Sequence, residues 1–321
     1  MQFFAPAIAA AVCIGVMVIL LENKMSPLDQ PNERSLHSKP VPRSGGIAIM
    51  AGTLVAVLMV MSHFVAAWLA AILSALSFID DRHSLSALIR LAVHFSAGAT
   101  FLVLAGAPSS ILVFLALLFA IVWLTNLFNF MDGSDGLAGG MAVIGFGTYG
   151  IAAILAGGNE IGFISLSVAA AAAGFLIFNF PPARIFMGDV GSIPLGFLAA
   201  TIGVLGWTNG LWPISFPLVV FAPFILDATV TLFRRALRKE RIWQAHRDHY
   251  YQRLVLSGWT HGRLAIAEYA IMLVCAVSAV TLTLVPRVGV VPISLGVALI
   301  LVALMIMVDR RWRLFSRTDH A

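Results

Sequence analysis

The stretch "ILVFLALLFAIVWLTNLFNFMDGSDGLAGG", residues 111–140, holds an uncharged apolar run, then two asparagines and two aspartates, then the start of another apolar run. A helix of roughly 17–25 apolar residues is long enough to cross a hydrocarbon layer of about 30 Å. The stretch therefore reads as the end of one membrane span, a polar border and the beginning of the next. Asn126 and Asn129 are spaced i, i+3 and share one face of the first helix. Asp132 and Asp135 repeat that spacing, and Gly133 and Gly136 break the helix around them.

The rest of the chain extends this pattern. Of 321 residues, 60% are hydrophobic and 11% charged, with a mean hydropathy of +0.96, whereas a soluble domain carries about 25% charged residues. The expected fold class is all-α: a polytopic integral membrane protein forming a single transmembrane domain over residues 1–321. Apolar runs near 3–21, 45–61, 65–79, 85–105, 109–128, 137–156, 161–178, 192–207, 213–232, 263–285 and 290–308 predict about 11 transmembrane helices. The opening "MQFFAPAIAAAVCIGVMVILL" lacks the positive n-region of a signal peptide and reads as an uncleaved first span. Cys13 and Cys275 both fall inside spans, so no disulfide framework is expected. The formal net charge of +5 does not indicate a nucleic-acid partner, because the basic residues cluster in short loops and do not alternate with aromatics.

Those basic residues set the orientation. With segments after odd-numbered spans on one side, Lys24, Arg34, Lys39, Arg43, Arg82, Arg184, Arg234 to Arg263 and Arg310 to Arg317 share that side. Arg90 lies one or two turns inside the fourth span from the same side, and only Arg287 lies opposite. By the positive-inside rule that side is cytoplasmic, which puts the N-terminus out and the C-terminus in. The loops near 22–44, 80–84, 129–136, 179–191 and 233–262 are then all cytoplasmic.

Five clusters lie on that side. In "NERSLHSKPVPRSGGIAI", residues 32–49, Lys39 and Arg43 precede a glycine pair whose helix-start N–H groups favour an anion; the plainer reading is a positive-inside turn. In "SFIDDRHSLSALIRLAVHF", the adjacent Asp80 and Asp81 repel, which raises one pKa or attracts a cation, while a helix cap explains only one of them. Arg90 and His94 lie four apart on one face, and snorkelling is the plainer role for Arg90. The third cluster is the opening stretch. Its four polar groups beside a glycine turn suit Mg²⁺ and diphosphate, although Asp135 is also placed to cap the sixth span. In "FNFPPARIFMGDVGS", Asn179, Arg184 and Asp189 occupy a loop where Asp189 is either a metal ligand or, like Ser192, a cap. The fifth, "FRRALRKERIWQAHRDHYYQRLVLSGW", carries His246 and His249 and fits an anion site better than zinc; a surface helix on anionic lipid is the alternative.

Taken in order on one side, "KPVPRSGG", "DD", "NxxNxxDGxDGLAGG", "FNxxPARIFMGDVGS" and a final histidine-containing loop resemble the polyprenyl-phosphate N-acetylhexosamine-1-phosphate transferases. The resemblance covers roughly residues 32–262. It implies a bacterial inner-membrane enzyme that takes a UDP-linked N-acetylated sugar with Mg²⁺, or Mn²⁺ in its place, and a polyprenyl phosphate as acceptor, releasing UMP. It admits a homodimer. Position by position, it implies Asp189 as the metal ligand and Asp80, Asp81 and Asp132 as catalytic acids, the first two near the acceptor phosphate. Asn126, Asn129 and Asp135 would line the nucleotide and diphosphate pocket with Asp132. Asn179 and Phe186 would hold the uracil, and Lys39, Arg43, Arg90 and His249 would balance phosphate charge. The chain departs from the family's usual last-loop histidine cluster, having "HYYQRL" with His249 and, three residues upstream, His246, which joins the substrate-binding set. It also has "VPRSGG" where the peptidoglycan branch has "TPTMGG". Both departures point to the branch that initiates O-antigen or other surface glycans.

A transporter or flippase for a lipid-linked or anionic solute is the rival expectation. Such proteins place ionisable groups near the membrane midplane between repeated halves. Here the buried-looking acids Asp227 and Glu268 lie a turn or more from the inner border, and no strong internal repeat is evident. A scaffold protein would give no reason for acids beside glycines on a single face.

Overall fold

The computed structural model describes residues 1–321 except 24–25, 32–34, 38, 84, 107–109, 242–243, 245, 285–288 and 319–321. Of the charges used for orientation, Lys24, Arg34 and Arg287 fall outside the described residues. The chain is all-α. Among the described residues its helices are α1 (Ala5–Glu22), α2 (Gly45–Val60), α3 (Val65–His83), α4 (Ala87–Leu104), α5 (Ile111–Phe130), α6 (Leu137–Leu155) and α7 (Asn159–Asn179). They continue as α8 (Asp189–Thr208), α9 (Ser215–Val220), α10 (Ala222–Leu237), α11 (Tyr250–Leu256), α12 (His261–Leu284) and α13 (Val290–Thr318). The only sheet described is a two-residue ladder, β1 (Leu28–Asp29) antiparallel to β2 (Val41–Pro42).

Eight of these helices are long and apolar enough to cross a membrane: α1 with the preceding 3₁₀ turn, α4 to α8, α12 and α13. The other expected spans also find helices, with local differences. α2 is a shorter apolar helix of 16 residues. α3 runs past its apolar part to include Asp80 and Asp81. The ninth span, expected as one run over 213–232, is broken at Phe221 into α9 and α10. Pro223 lacks an N–H and its ring crowds the carbonyl four residues back, which interrupts the helix here.

The centre of the bundle is α8, with 83% of its span buried, against 11% for α13 at the periphery. α8 packs on α3 and α5, and its small residues permit close approach. A Cβ on Gly196 would lie 2.8 Å from the Cβ of Phe128 and from the Cα of Thr125, so α5 and α8 meet nearly backbone to backbone. The starts of α2 and α8 are joined more closely still. Gly45 and Gly46 donate their N–H groups to the carbonyls of Phe186 and Met187, each at 2.9 Å, and Phe186 donates to Pro42 at 2.7 Å. The helix-start N–H groups read as a potential anion site are therefore spent on backbone pairing. A Cβ on Gly46 would fall 2.2 Å from the Gly191 nitrogen. This zipper carries Arg43 to the mouth of α8.

Gly46→Ala is expected to force the α2 and α8 starts apart, costing about 1–3 kcal/mol as overpacking does. Gly15→Ala on α1 meets nothing within 4 Å and serves as control. Thermal unfolding in detergent should show a lower midpoint for Gly46→Ala alone; matching midpoints for the two variants would contradict the packing described.

Candidate active site

The acid turn closes α5. Its residues 131–136 are held from several directions. Tyr251 donates its hydroxyl to the Phe130 carbonyl at 3.2 Å, and Tyr269 donates to the Gly136 carbonyl at 2.7 Å. Gly136 sits at φ +75°, a left-handed conformation that glycine adopts freely, and donates its N–H to the Asn179 side-chain oxygen at 2.9 Å. Asn179 in turn donates to the Ile185 carbonyl, so it fastens the acid turn to the loop before α8. Gly136 is also the N-cap of α6, the place expected for Asp135. The Asp135 carboxylate instead accepts the Ala183 N–H at 3.0 Å and so ties down the same loop. His261, at the start of α12, accepts the Asp135 N–H at Nδ1, where Ser134 also donates at 2.8 Å; its Nε2–H is then left to donate to the Leu36 carbonyl at 3.4 Å.

Opposite this turn, Asp189 is the first residue of α8. Gly188 before it has φ +69°, and a Cβ there would lie 2.7 Å from the Arg43 carbonyl, so the position accepts little but glycine. Asn129 donates to the Asp189 Oδ1 at 2.9 Å and to the Ser192 hydroxyl at 2.9 Å. Ser192 donates to the Gly188 carbonyl instead of capping the helix. The Gly188 backbone lies near the Asp132 carboxyl and favours its charged form. Burial, and next the neighbouring Asp189 charge, hold the Asp132 carboxyl well above the usual range. Asn129, Asp132, Gly188 and Asp189 line a cleft of about 310 Å³ together with Arg43, Asn179 and Phe186.

Asp80 and Asp81 stand beside the cleft. Asp81 Oδ1 accepts from Arg43, which lines the cleft, at 2.9 Å. Asp80 accepts the Leu85 N–H at 2.6 Å, which holds the α3–α4 turn, and lies 3.4 Å from Arg90. Arg90 also comes within 4.0 Å of Asp189 Oδ2, bridging the two clusters. Asp81 is pushed up to about 6, chiefly by burial; Arg43 opposes the rise, and Asp189, Asp80 and Asp29 add to it. Acids from α3, the acid turn and the start of α8 thus converge at one end of the bundle.

The other residues expected at the site lie off the cleft. Lys39 is exposed and does not line it. Asn126, a turn before Asn129, donates to the Val122 carbonyl at 2.7 Å and sits 3.3 Å from Nδ1 of the buried His94. His249 is buried with its Nδ1 3.1 Å from Asp227. The His246 ring lies tilted against His249 at 4.9 Å, and burial, then His249 and Arg235, push it down to about 4. Asp227 accepts the N–H groups of Tyr250 and Tyr251 at 3.0 Å each, so this acid secures the start of α11 and is not a free ionisable group in a pathway. Through α11 it places Gln252 in the cleft wall.

Asp29, His37, Gln252 and His261 also line the cleft and are not among the residues that the sequence motifs mark. His37 meets Phe186 edge-on at 5.0 Å, and it lies within the first cluster, two residues before Lys39. His261 directly follows "GWT", with no spacing that would mark it. Among the described residues no group of three or more His, Cys, Asp or Glu side chains could hold a metal unaided. Asp132 and Asp189 offer hard carboxylate oxygens, the donors that Mg²⁺ takes one or two of when phosphate and water complete its shell.

The profile of glycosyl transferase family 4 matches residues 61–207. A probable undecaprenyl-phosphate N-acetylglucosaminyl 1-phosphate transferase of Bacillus subtilis is 31% identical over 300 residues, covering 87% of this chain and 84% of that protein. A decaprenyl-phosphate N-acetylglucosaminephosphotransferase of Mycobacterium leprae is 29% identical, covering 79% of this chain and 76% of its own. A phospho-N-acetylmuramoyl-pentapeptide-transferase of Latilactobacillus sakei is 33% identical over 50% of this chain and 49% of its own. With these relatives and the ordered acid motifs gathered at one cleft, the chain belongs to the polyprenyl-phosphate N-acetylhexosamine-1-phosphate transferases of glycosyl transferase family 4.

Proposed function

We propose that the chain transfers an N-acetylhexosamine-1-phosphate from a UDP-sugar to a polyprenyl phosphate, releasing UMP, at the cytoplasmic face of a bacterial inner membrane. The observation that carries the reading is the juxtaposition of Asp132 and Asp189 across one cleft, with Asn129 as a fixed donor to Asp189. Asp132 and Asp189 would hold Mg²⁺, which when bound supplies charge neutralisation at the diphosphate. Asn179 and Phe186 in the same wall fit the uracil end, the ring by stacking. Arg43 and Arg90 stand where phosphate charge has to be balanced on the lipid side, beside Asp80 and Asp81.

Direct attack is the route these residues favour. An oxygen of the lipid phosphate bonds to the sugar-bearing phosphorus, the bridging P–O bond breaks, and UMP departs with the bonding pair. The attacking oxygen is already ionised near neutral pH, so alignment and electrostatics suffice. UDP-N-acetylglucosamine is the first donor to test, since it matches the sugar in the names of the Bacillus and Mycobacterium relatives. The first-loop "VPRSGG" favours O-antigen or another surface glycan as the product's destination. A transporter reading draws no support from Asp227, which is engaged in capping α11.

Purified protein given UDP-N-acetylhexosamine, undecaprenyl phosphate and Mg²⁺ should release UMP, and chelation with EDTA should stop it. Vectorial transport without UMP release from any UDP-sugar would overturn the proposal. Asp189→Asn keeps the shape of the site while removing a charge; turnover should fall at least about hundredfold, the scale for losing one electrostatic stabiliser, with an unchanged melting midpoint. Wild-type turnover in that variant would contradict the role given to Asp189.

A further inference from the structure

Across α11 from the substrate cleft, a second, shallow cleft of about 430 Å³ opens between the end of α10 and the polar extension of α13. Gln252 lines the first cleft and its neighbour Arg253 lines the second. Four arginines, Arg234, Arg238, Arg253 and Arg313, face a single acid in this lining, Asp309. The Asp309 side chain is 12% exposed and serves two of them, Arg234 at 2.8 Å and Arg253 at 3.0 Å. The Tyr250 ring steadies the same two guanidinium groups, at 5.4 and 5.1 Å. Among the described residues Arg238 pairs with Glu240 alone, at 3.4 Å, and Glu240 also pairs with Arg235 at 2.9 Å. Arg313 makes no salt bridge among the described residues. The cleft therefore holds positive charge in excess of its acids.

Its position specifies the kind of anion. Trp312 lies in the wall just where the apolar run of α13 gives way to Arg310, the depth at which tryptophan marks a membrane border. Phe233, Leu237 and Ile306, on the same two helices, are exposed, as side chains facing acyl chains would be. Snorkelling alone explains arginines at a border. It does not explain a concave site whose guanidinium groups are oriented by one shared, nearly buried carboxylate and an aromatic ring.

We propose that this cleft binds the phosphate-bearing headgroup of an anionic phospholipid, with the acyl chains lying along α10 and α13. A headgroup there abuts Arg253, one residue from the Gln252 that lines the substrate cleft, so its binding steadies α11. The site is separate from the transferase chemistry, and its test needs no turnover.

Native mass spectrometry of the detergent-purified chain, titrated with phosphatidylglycerol and with phosphatidylcholine, reads the site directly. The wild type should retain phosphatidylglycerol about tenfold better, and the Arg238→Gln/Arg313→Gln double variant should lose most of that preference, as removal of two basic residues from an anionic-lipid site should. Lysine at both positions should restore it. Equal retention of the two lipids by the wild type, an undiminished preference in the glutamine variant with an unchanged melting midpoint, or displacement by inorganic phosphate at equal concentration would each overturn the proposal. The wild-type comparison decides the matter even if the double variant does not fold.

Discussion

Two carboxylates, Asp132 and Asp189, held beside one another at a single cleft are the constraint on which the rest of this structure depends. Asp132 and Asp189 repel, and burial sharpens the repulsion. They remain in place because the groups around them are fixed: the Asn129 amide donates to Asp189, and the Tyr251 and Tyr269 hydroxyls hold the turn that carries Asp132. Arg90 contributes only from 4.0 Å. A carboxylate pair placed this way would keep its attraction for the divalent ion proposed here, whereas a close arginine pair would spend it.

Holding that arrangement requires a framework far stiffer than the loops that carry it. The close contact of α5 and α8 at Gly196 sets the distance between Asn129 and Asp189. The backbone pairing of residues 42–46 with 186–187 sets where Arg43 enters, and through Arg43 it reaches Asp81 at 2.9 Å. Asn179, Asp135 and His261 each bond the acid turn to another segment. Several polar residues of the motifs thus act on the turn's shape, and the glycines between them let backbones approach where any side chain would separate the carboxylates.

The helical, membrane-spanning character is legible in the sequence because an uncharged run of this length must satisfy its own backbone once it enters lipid, and a helix does so within one segment. The acids of the site are legible too, because Asp80, Asp132 and Asp189 each lie beside glycine or at the end of an apolar run. Periodicity does not carry the break at Phe221, which follows from Pro223, one of three prolines in that stretch. His261 and Asp29 are not legible, since each reaches the cleft from a distant segment and carries no local motif. Roles within a cluster are hidden for the same reason. Asp135 matches Asp132 in spacing and type, yet its carboxylate faces the Ala183 N–H, a partner 48 positions along the chain. The histidines of the last loop read as phosphate ligands, while in the fold His249 lies on Asp227.

The most direct test of the paired carboxylates is Mn²⁺ binding in the presence of UDP, followed by electron paramagnetic resonance on the purified protein. Wild type is expected to bind Mn²⁺ in a form coupled to the phosphorus of the nucleotide, and Asp132→Asn and Asp189→Asn are each expected to weaken that binding by at least about tenfold, as loss of one carboxylate ligand of a hard cation should. Binding of equal strength in the wild type and both variants would contradict a shared cation site between these two residues.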